Sequence, residues 1–223
     1  PFLRPSFVDS FEFKHTYKNK YTTNTFLSIR DDGSSIIFTS DIENSTQIVT
    51  RSNFFKQYMY GIGESFLFDK FSWWQSQNNV NLIGSKTEFT EDIGAKPQNG
   101  FLFSATSSNK FILNTTTKLQ LDMSYDSPFK AGLFSLGKTY SIDLGINKQF
   151  LNKDLQVAVL VKDVFNTSSL NNLESTVNGV KQVYGQNDNN RYIRLSASYS
   201  FGNKNVKEKR RSFGNEEERQ RVN

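Results

Sequence analysis

Few residues in this sequence have the types and spacing that catalysis or metal binding requires. The chain contains one histidine, His15, and no cysteine. The lack of cysteine excludes a disulfide framework, a zinc–cysteine site and a thiol nucleophile. One histidine in a strand makes neither a clustered metal site nor a Ser-His-Asp triad. We therefore expect no metal site at His15.

The acidic residues offer three further possibilities, and each has a simpler structural interpretation. Asp31-Asp32-Gly33 lacks the full spacing of a calcium loop and is expected to form a bulge or turn. Glu88, Glu91 and Asp92 could bind a cation but fit a solvated loop better. Asp122 and Asp126 could form a glycosidase-like pair, although they fit the lining of a wet lumen better.

The glycine-rich segment GIGES (61–65) does not form a phosphate-binding loop, because no helix follows it. Within a strand, Gly61 and Gly63 are expected to allow curvature or close packing. The sequence thus predicts no cofactor and no enzyme activity. The strands that carry these residues indicate more about the protein than the residues themselves.

The composition favours strands with one apolar and one polar face. Apolar residues make up only 36% of the chain, yet aromatic residues reach 14%, which is too many for a disordered segment. No run of about 18 apolar residues exists, which excludes a helical membrane protein. Alternation of apolar and polar residues is clearest in 191–201. We predict nine strands, at 7–17, 21–42, 46–68, 72–88, 99–112, 116–127, 138–149, 154–165 and 190–201.

Strand length and connection length both favour an outer membrane β-barrel. Most of the predicted strands have the ~9–11 residues that cross a bilayer, whereas globular strands usually have about five or six. Short connections (18–20, 69–71, 113–115, 150–153) alternate with longer ones (43–45, 87–98, 127–137, 166–189). Short periplasmic turns and long outer loops produce this alternation. A soluble β-sandwich remains the alternative.

Aromatic residues cluster beside the short connections and at the end of the final strand. In a barrel they would form a girdle at one membrane interface, whereas in a sandwich they would favour strand centres. The predicted girdle residues are Tyr17, Tyr21, Phe68, Phe71, Trp73, Trp74, Phe111, Phe150, Tyr199 and Phe201.

The segment 202–223 is predicted to be a polar, basic, periplasmic tail that follows the barrel portion 1–201. Its seven basic and four acidic residues supply +3 of the net charge of +5. The tail could contact an acidic partner or lipid headgroups, or it could simply be solvated. The near-neutral barrel portion argues against nucleic acid as a partner.

An odd number of strands suggests a larger barrel, because bacterial single-chain barrels have even numbers. An isolated sheet of nine strands would also expose two long edges. We therefore expect the remaining strands to precede Pro1, so that the chain would be the C-terminal part of one barrel.

Several segments resemble TonB-dependent-receptor-like outer membrane proteins of the Bacteroidota type. The similarity covers essentially the whole chain. Each motif alone is degenerate, but the order and spacing of the motifs together are fairly specific. The segments are PFLRPSFVDSFEFKHTYKNKY (1–21), YMYGIGESFLFDKFSWW (58–74), VKDVFNT (161–167), RYIRLSASYSFGN (191–203) and GNEEERQRV in the tail. Phe201 is not the final residue, which departs from the wider receptor family.

The resemblance implies an antiparallel transmembrane barrel of about 22 strands with an N-terminal plug. It implies energy-coupled uptake of an unidentified ligand, with membrane lipid, the plug, the remaining strands and a TonB-like coupling protein as partners. A non-transporting barrel that scaffolds a surface-lipoprotein or secretion complex is the alternative. The outer loops would contact the ligand, and the predicted contacts near the barrel mouth are Tyr184, Asn187, Asp188, Asn190 and Arg191.

Overall fold

In the computed structural model, nine long strands form one antiparallel sheet. The structure describes residues 3–41, 43–169, 172–185 and 189–201. The strands of the sheet, in spatial order, are β1 (Phe7–Tyr17), β2 (Tyr21–Asp41), β3 (Thr46–Phe71), β4 (Trp74–Phe89), β5 (Gly100–Ile112), β6 (Thr117–Asp126), β9 (Thr139–Phe150), β10 (Leu155–Lys162) and β13 (Tyr192–Tyr199). The sheet is open, since β1 and β13 each have a single neighbour among the described strands.

The nine predicted strands are confirmed, with corrections at several ends. Strand β3 continues to Phe71 because it still pairs with β4 beyond Phe68. Strand β10 ends at Lys162 and not at 165, because Asp163 begins a tight turn with a φ of 47°. The long strands lie in one continuous sheet and not in two facing sheets, which contradicts the sandwich alternative.

A second, smaller sheet was not predicted. It has the order β12-β11-β8-β7 and forms from two segments that the sequence predicted to be long loops. Its strands are β7 (Phe129–Ala131), β8 (Phe134–Leu136), β11 (Leu173–Val177) and β12 (Val180–Tyr184). A short 3₁₀ turn, η1 (Leu151–Lys153), is the only helical element of the described residues. None of them forms a helix long and apolar enough to cross a bilayer.

The buried apolar core lies where the smaller sheet packs against the outer parts of β2 and β3. Phe54 is completely buried, and the rings of Phe55 and Phe89 meet it edge-on at centroid distances of 5.3 and 5.2 Å. The buried apolar residues of the described chain are Ile37, Phe54, Phe55, Leu133 and Val177. The smaller sheet is therefore a packed unit and not a loose loop.

The predicted interruption at 31–34 is a pair of bulges that compensate each other. The β2–β3 register shifts once between Arg30 and Gly33 and again between Gly33 and Ser34. Asp32 adopts a φ of 49°, and the ring of Phe55 covers Gly33. The two shifts cancel, so pairing above and below the bulges keeps the same register.

Gly61 confirms the prediction of close packing within a strand. A Cβ atom there would lie 2.7 Å from the carbonyl oxygen of Leu82 and 2.7 Å from the ring of Phe26. The side chain of Phe26 thus occupies the space that a larger residue at 61 would need.

Candidate functional site

Cross-strand pairing sorts the side chains of the large sheet onto two faces. On one face, here called the polar face, Ser108, Asp122 and Asp143 form a row across β5, β6 and β9. On the opposite, apolar face, the neighbouring row consists of Asn109, Leu121, Leu144, Val161 and Ile193. Paired residues point to the same side of a sheet, so the faces differ as the alternation predicts.

The polar face carries a groove of about 720 Å³ that crosses strands β5 to β13. Its floor includes small residues, since Gly145 of β9 and Ala158 of β10 lie between longer side chains. Its rim includes basic and amide side chains, namely Lys110, Lys118, Gln120, Gln149, Gln156 and Arg194. The groove can therefore accommodate a polar molecule against the sheet.

Both carboxylates of the groove already accept hydrogen bonds from neighbouring groups. Asp143 is only 9% exposed, and its Oδ2 lies 2.9 Å from Nζ of Lys162. Its Oδ1 accepts the Asp163 backbone N–H at 2.8 Å. Asp122 accepts hydrogen bonds from Ser108 and Gln120, each at 2.6 Å. These contacts lock the carboxylates into the sheet, as expected for residues that line a surface.

Asp163 organises the turn that follows β10, in the VKDVFNT motif noted from the sequence. Its side chain is 1% exposed and accepts hydrogen bonds from Thr167 N (2.9 Å), Ser168 N (3.1 Å) and Ser168 Oγ (2.7 Å). Burial alone would raise the pKa of Asp163, but the hydrogen bonds from Ser168 and Thr167 hold the pKa below its ordinary value. The motif thus fixes the outer ends of β9 and β10.

The predicted ligand contacts lie in different settings. Tyr184 ends β12, and its ring packs on Phe38 at 4.4 Å between centroids. Its hydroxyl accepts a hydrogen bond from Gln47 at 3.1 Å and donates one to Gln182. Burial raises the pKa of Tyr184 above its ordinary value, and the bond from Gln47 lowers it only in part.

The other predicted contacts are less tied to the core. Asn190 donates a hydrogen bond to Ser168 at 3.1 Å, and Arg191 is exposed just before β13. Asn187 and Asp188 lie outside the described residues. Tyr184 is therefore part of the packing of the smaller sheet, whereas Asn190 belongs to the Asp163 turn.

The predicted girdle residues lie along one end of the large sheet, beside its short turns. Trp74 anchors this cluster because its indole N–H donates to Asn109 at 3.1 Å and its ring stacks on Phe111 at 6.3 Å. Phe68, Phe71 and Trp73 join the same ring cluster. The remaining members lie at strand ends on the same side: Tyr17, Tyr21, Phe150, Tyr199 and, just after β13, Phe201.

Four of the five acidic residues considered for cation binding are paired with basic side chains, and the fifth, Asp92, accepts the Gly94 backbone N–H at 2.9 Å. Asp32 forms two 2.8 Å bonds with the guanidinium of Arg4, and Asp31 lies 2.8 Å from Nζ of Lys56. Glu91 contacts Arg4 at 3.3 Å, and Glu88 contacts Lys86 at 2.6 Å. Within the described ranges, no group of three or more His, Asp or Glu side chains is close enough to hold a metal ion.

A recognisable signal could have revealed the smaller sheet. Asn178-Gly179 separates the two apolar-alternating runs that form β11 and β12, and both residues have positive φ angles of 51° and 77°. Asn-Gly between two such runs is the sequence pattern of a tight β-hairpin. The buried position of Phe54 had no comparable signal, because its partners come from distant parts of the chain.

Comparisons with known proteins give one match. Residues 1–199 match the model of a family described as an outer membrane protein beta-barrel family. No curated protein and no solved structure shows a significant similarity to the chain.

Proposed function

This chain belongs to the outer membrane protein β-barrel family, and from that premise we propose that it is part of a receptor or transporter. The proposed activity is energy-coupled uptake of a ligand across the outer membrane. The groove of the polar face is the observation that carries this proposal. A polar interior is common to outer membrane barrels, and a groove of this size on that face gives a ligand a place to bind inside the lumen.

The two faces of the sheet fit this role. The apolar face exposes large apolar side chains, as a surface in contact with membrane lipid does, and Leu144 and Ile193 are 46% and 73% exposed. The polar face would then line the lumen, where a solute can pass. In this arrangement the aromatic cluster with Trp74 would lie at the periplasmic interface, and the tail 202–223, which lies outside the described residues, would be periplasmic.

The partners of the proposed transporter follow from the same arrangement. Further strands would pair with the open edges at β1 and β13, giving a barrel of about 22 strands around an N-terminal plug. A TonB-like coupling protein would supply the energy, and Bacteroidota is the proposed source. Tyr184, Asn187, Asp188, Asn190 and Arg191 remain the proposed ligand contacts of the outer loops.

Comparative metabolite analysis tests the proposal without a known ligand. Cells with and without the intact protein are grown in one complex medium, and the spent media are compared by mass spectrometry. We expect at least one solute to be depleted only when the protein is present, and a protonophore to abolish that depletion. Equal depletion of every solute by both strains would contradict uptake.

A non-transporting scaffold is the second candidate, and the packed smaller sheet favours it. Gln182 donates to the Phe38 carbonyl at 2.7 Å, and Asn178 N–H donates to the Gly94 carbonyl at 2.7 Å. These bonds join three outer connections into one defined surface, which would suit a surface lipoprotein. Co-purification of a surface lipoprotein with the intact protein from detergent-solubilised membranes would support this candidate, if both strains also deplete every solute equally.

A further inference from the structure

We propose that the groove of the polar face binds a carboxylate- or phosphate-bearing, hydroxyl-rich solute. The inference deepens the proposed function by naming a ligand class for the lumen. Binding itself does not require transport, so the two proposals can fail separately.

The groove has a defined shape that follows from strand pairing. One row of the polar face runs Lys110, Gln120, Gly145, Leu160 and Arg194 across five strands. The next row runs Lys118, Asn147, Ala158 and Ser196. Gly145 and Ala158 are diagonal neighbours in these two rows, because Gly145 pairs with Leu160 and Ala158 pairs with Asn147. The middle of the groove therefore has two small residues, and basic residues stand at its margins.

The basic residues at these margins have no carboxylate partner among the described residues. The ion pairs of that part of the chain include none of Lys110, Lys118 and Arg194. The guanidinium of Arg194 lies over the ring of Tyr192, 5.9 Å from its centroid. Asp143 pairs with Lys162, whereas Asp122 accepts hydrogen bonds only from neutral groups and keeps its negative charge. With Lys110, Lys118, Lys162 and Arg194 against these two carboxylates, the lining of the groove has a net charge of +2.

Neutral hydrogen-bonding side chains between the cations indicate which other groups the ligand would carry. Asn147, Gln149, Gln156 and Ser196 line the groove, and each can both donate and accept hydrogen bonds. Hydroxyl groups match such side chains, whereas a carboxylate or phosphate matches the cations through charge-assisted hydrogen bonds. A solute that carries both groups fits the groove better than a neutral or cationic one.

Titration calorimetry of the intact protein in detergent micelles tests this inference with three probes that share one sugar ring. The probes are glucuronate, glucose 6-phosphate and neutral glucose. We expect at least one of the two anions to bind and glucose to bind at least tenfold more weakly. The stronger of the two anions identifies whether carboxylate or phosphate is preferred, and 0.5 M NaCl should weaken its binding.

Matched variants locate the binding site. Lys118→Met and Arg194→Gln should each weaken anion binding by about tenfold or more, since each removes a charge-assisted hydrogen bond. Gly145→Trp should abolish binding by filling the floor. Lys148→Met is the control, because Lys148 lies in β9 but pairs with Val157 on the apolar face.

Two results would overturn the inference. One is the absence of any binding heat when either anion is titrated into wild-type protein. The protein would be present at 10-fold the concentration needed for a detectable heat. The other is an equal loss of affinity in the Lys148→Met and Lys118→Met variants. Anion binding without any solute uptake would support the groove and contradict the transport proposal alone.

Discussion

The outer end and the membrane-spanning part of this chain obtain their stability from different surroundings. At the outer end, Phe54, Leu133 and Val177 are at most 2% exposed, and the smaller sheet covers them. In the spanning part, Ile193 and Leu195 remain 73% and 72% exposed although they lie on the apolar face. The outer end has a protein core, whereas the spanning part requires lipid to cover its apolar face.

This difference shows how one strand can serve two environments. Strand β3 begins in the packed outer region and ends beside the aromatic cluster, and the bulges near Gly33 and Phe55 separate the two parts. Removing an apolar side chain from water stabilises the folded chain, whether protein or lipid covers the side chain. The predictions below test whether the two regions respond separately to substitution.

The largest expected effect is loss of the outer core in Phe54→Ala. Removing this buried ring should destabilise the outer region by about 3–5 kcal/mol, and it should leave the spanning sheet intact. Limited proteolysis of the outer connections, with thermal unfolding in micelles, measures both parts. The control is Phe165→Ala, because Phe165 lies in an outer turn but is 60% exposed. Equal sensitivity of the two variants would contradict a protein core at this end.

A charge on the apolar face tests the spanning part. Leu144→Arg or Val159→Arg should cost about 2–4 kcal/mol if these residues face the bilayer midplane. Gln156→Arg, on the polar face, should be tolerated. Asp143 is not a suitable control because it pairs with Lys162. Urea titrations of folding into lipid vesicles provide the measurement, and equal tolerance at 144 and 156 would refute the assignment of the faces.

A pH-dependent contribution is expected at the Asp163 turn. The lowered pKa means that the charged carboxylate stabilises the turn above its ordinary pKa of 3.8, and that this stabilisation is lost as the pH falls through the folded value. Asp163→Asn should weaken the turn by about 1–3 kcal/mol at pH 7 and remove the acid-dependent loss. Hydrogen exchange at the amides of Thr167 and Ser168, corrected for intrinsic rates, reports both effects. A wild-type turn that is insensitive to acid would contradict this role.

The smallest effect is expected at the exposed ion pairs of the outer end. Arg4→Met removes the contacts to Asp32 and Glu91, all of which are solvent-accessible. Exposed pairs contribute little and are screened by salt. We expect the midpoint of thermal unfolding to change slightly at low salt and not at all in 0.5 M NaCl. A large change that persists in 0.5 M NaCl would contradict a weak, salt-screened contribution from these pairs.

The sequence predicted the large sheet well because local alternation determines it. The run Ile193, Leu195, Ala197 and Tyr199 identifies its strand and face without knowledge of any partner. The outer core could not be predicted in this way, because Phe54 and Val177 lie far apart in sequence and meet only after both sheets form.

The candidate site was predicted in part for the same reason. Alternation placed Asp122 and Gln156 on a wet face, but it did not indicate that Gly145 and Ala158 are diagonal neighbours, since that depends on the β9–β10 register. The outer contacts were predicted from their position near the barrel mouth alone. Tyr184 consequently turned out to be a packing residue as well as a polar one.

The cancelling bulges in β2 and β3 also free the register of the spanning sheet from the length of the outer hairpin, although Ile37 of that hairpin packs in the outer core. Pairing has the same register on both sides of Gly33, so the tip at 34–53 can change length without altering which residues below it face lipid. Deleting equal numbers of residues from its two arms would preserve every pair between Tyr21 and Arg30. Evolution or protein engineering could therefore exchange this tip for another hairpin while the spanning sheet stays unchanged.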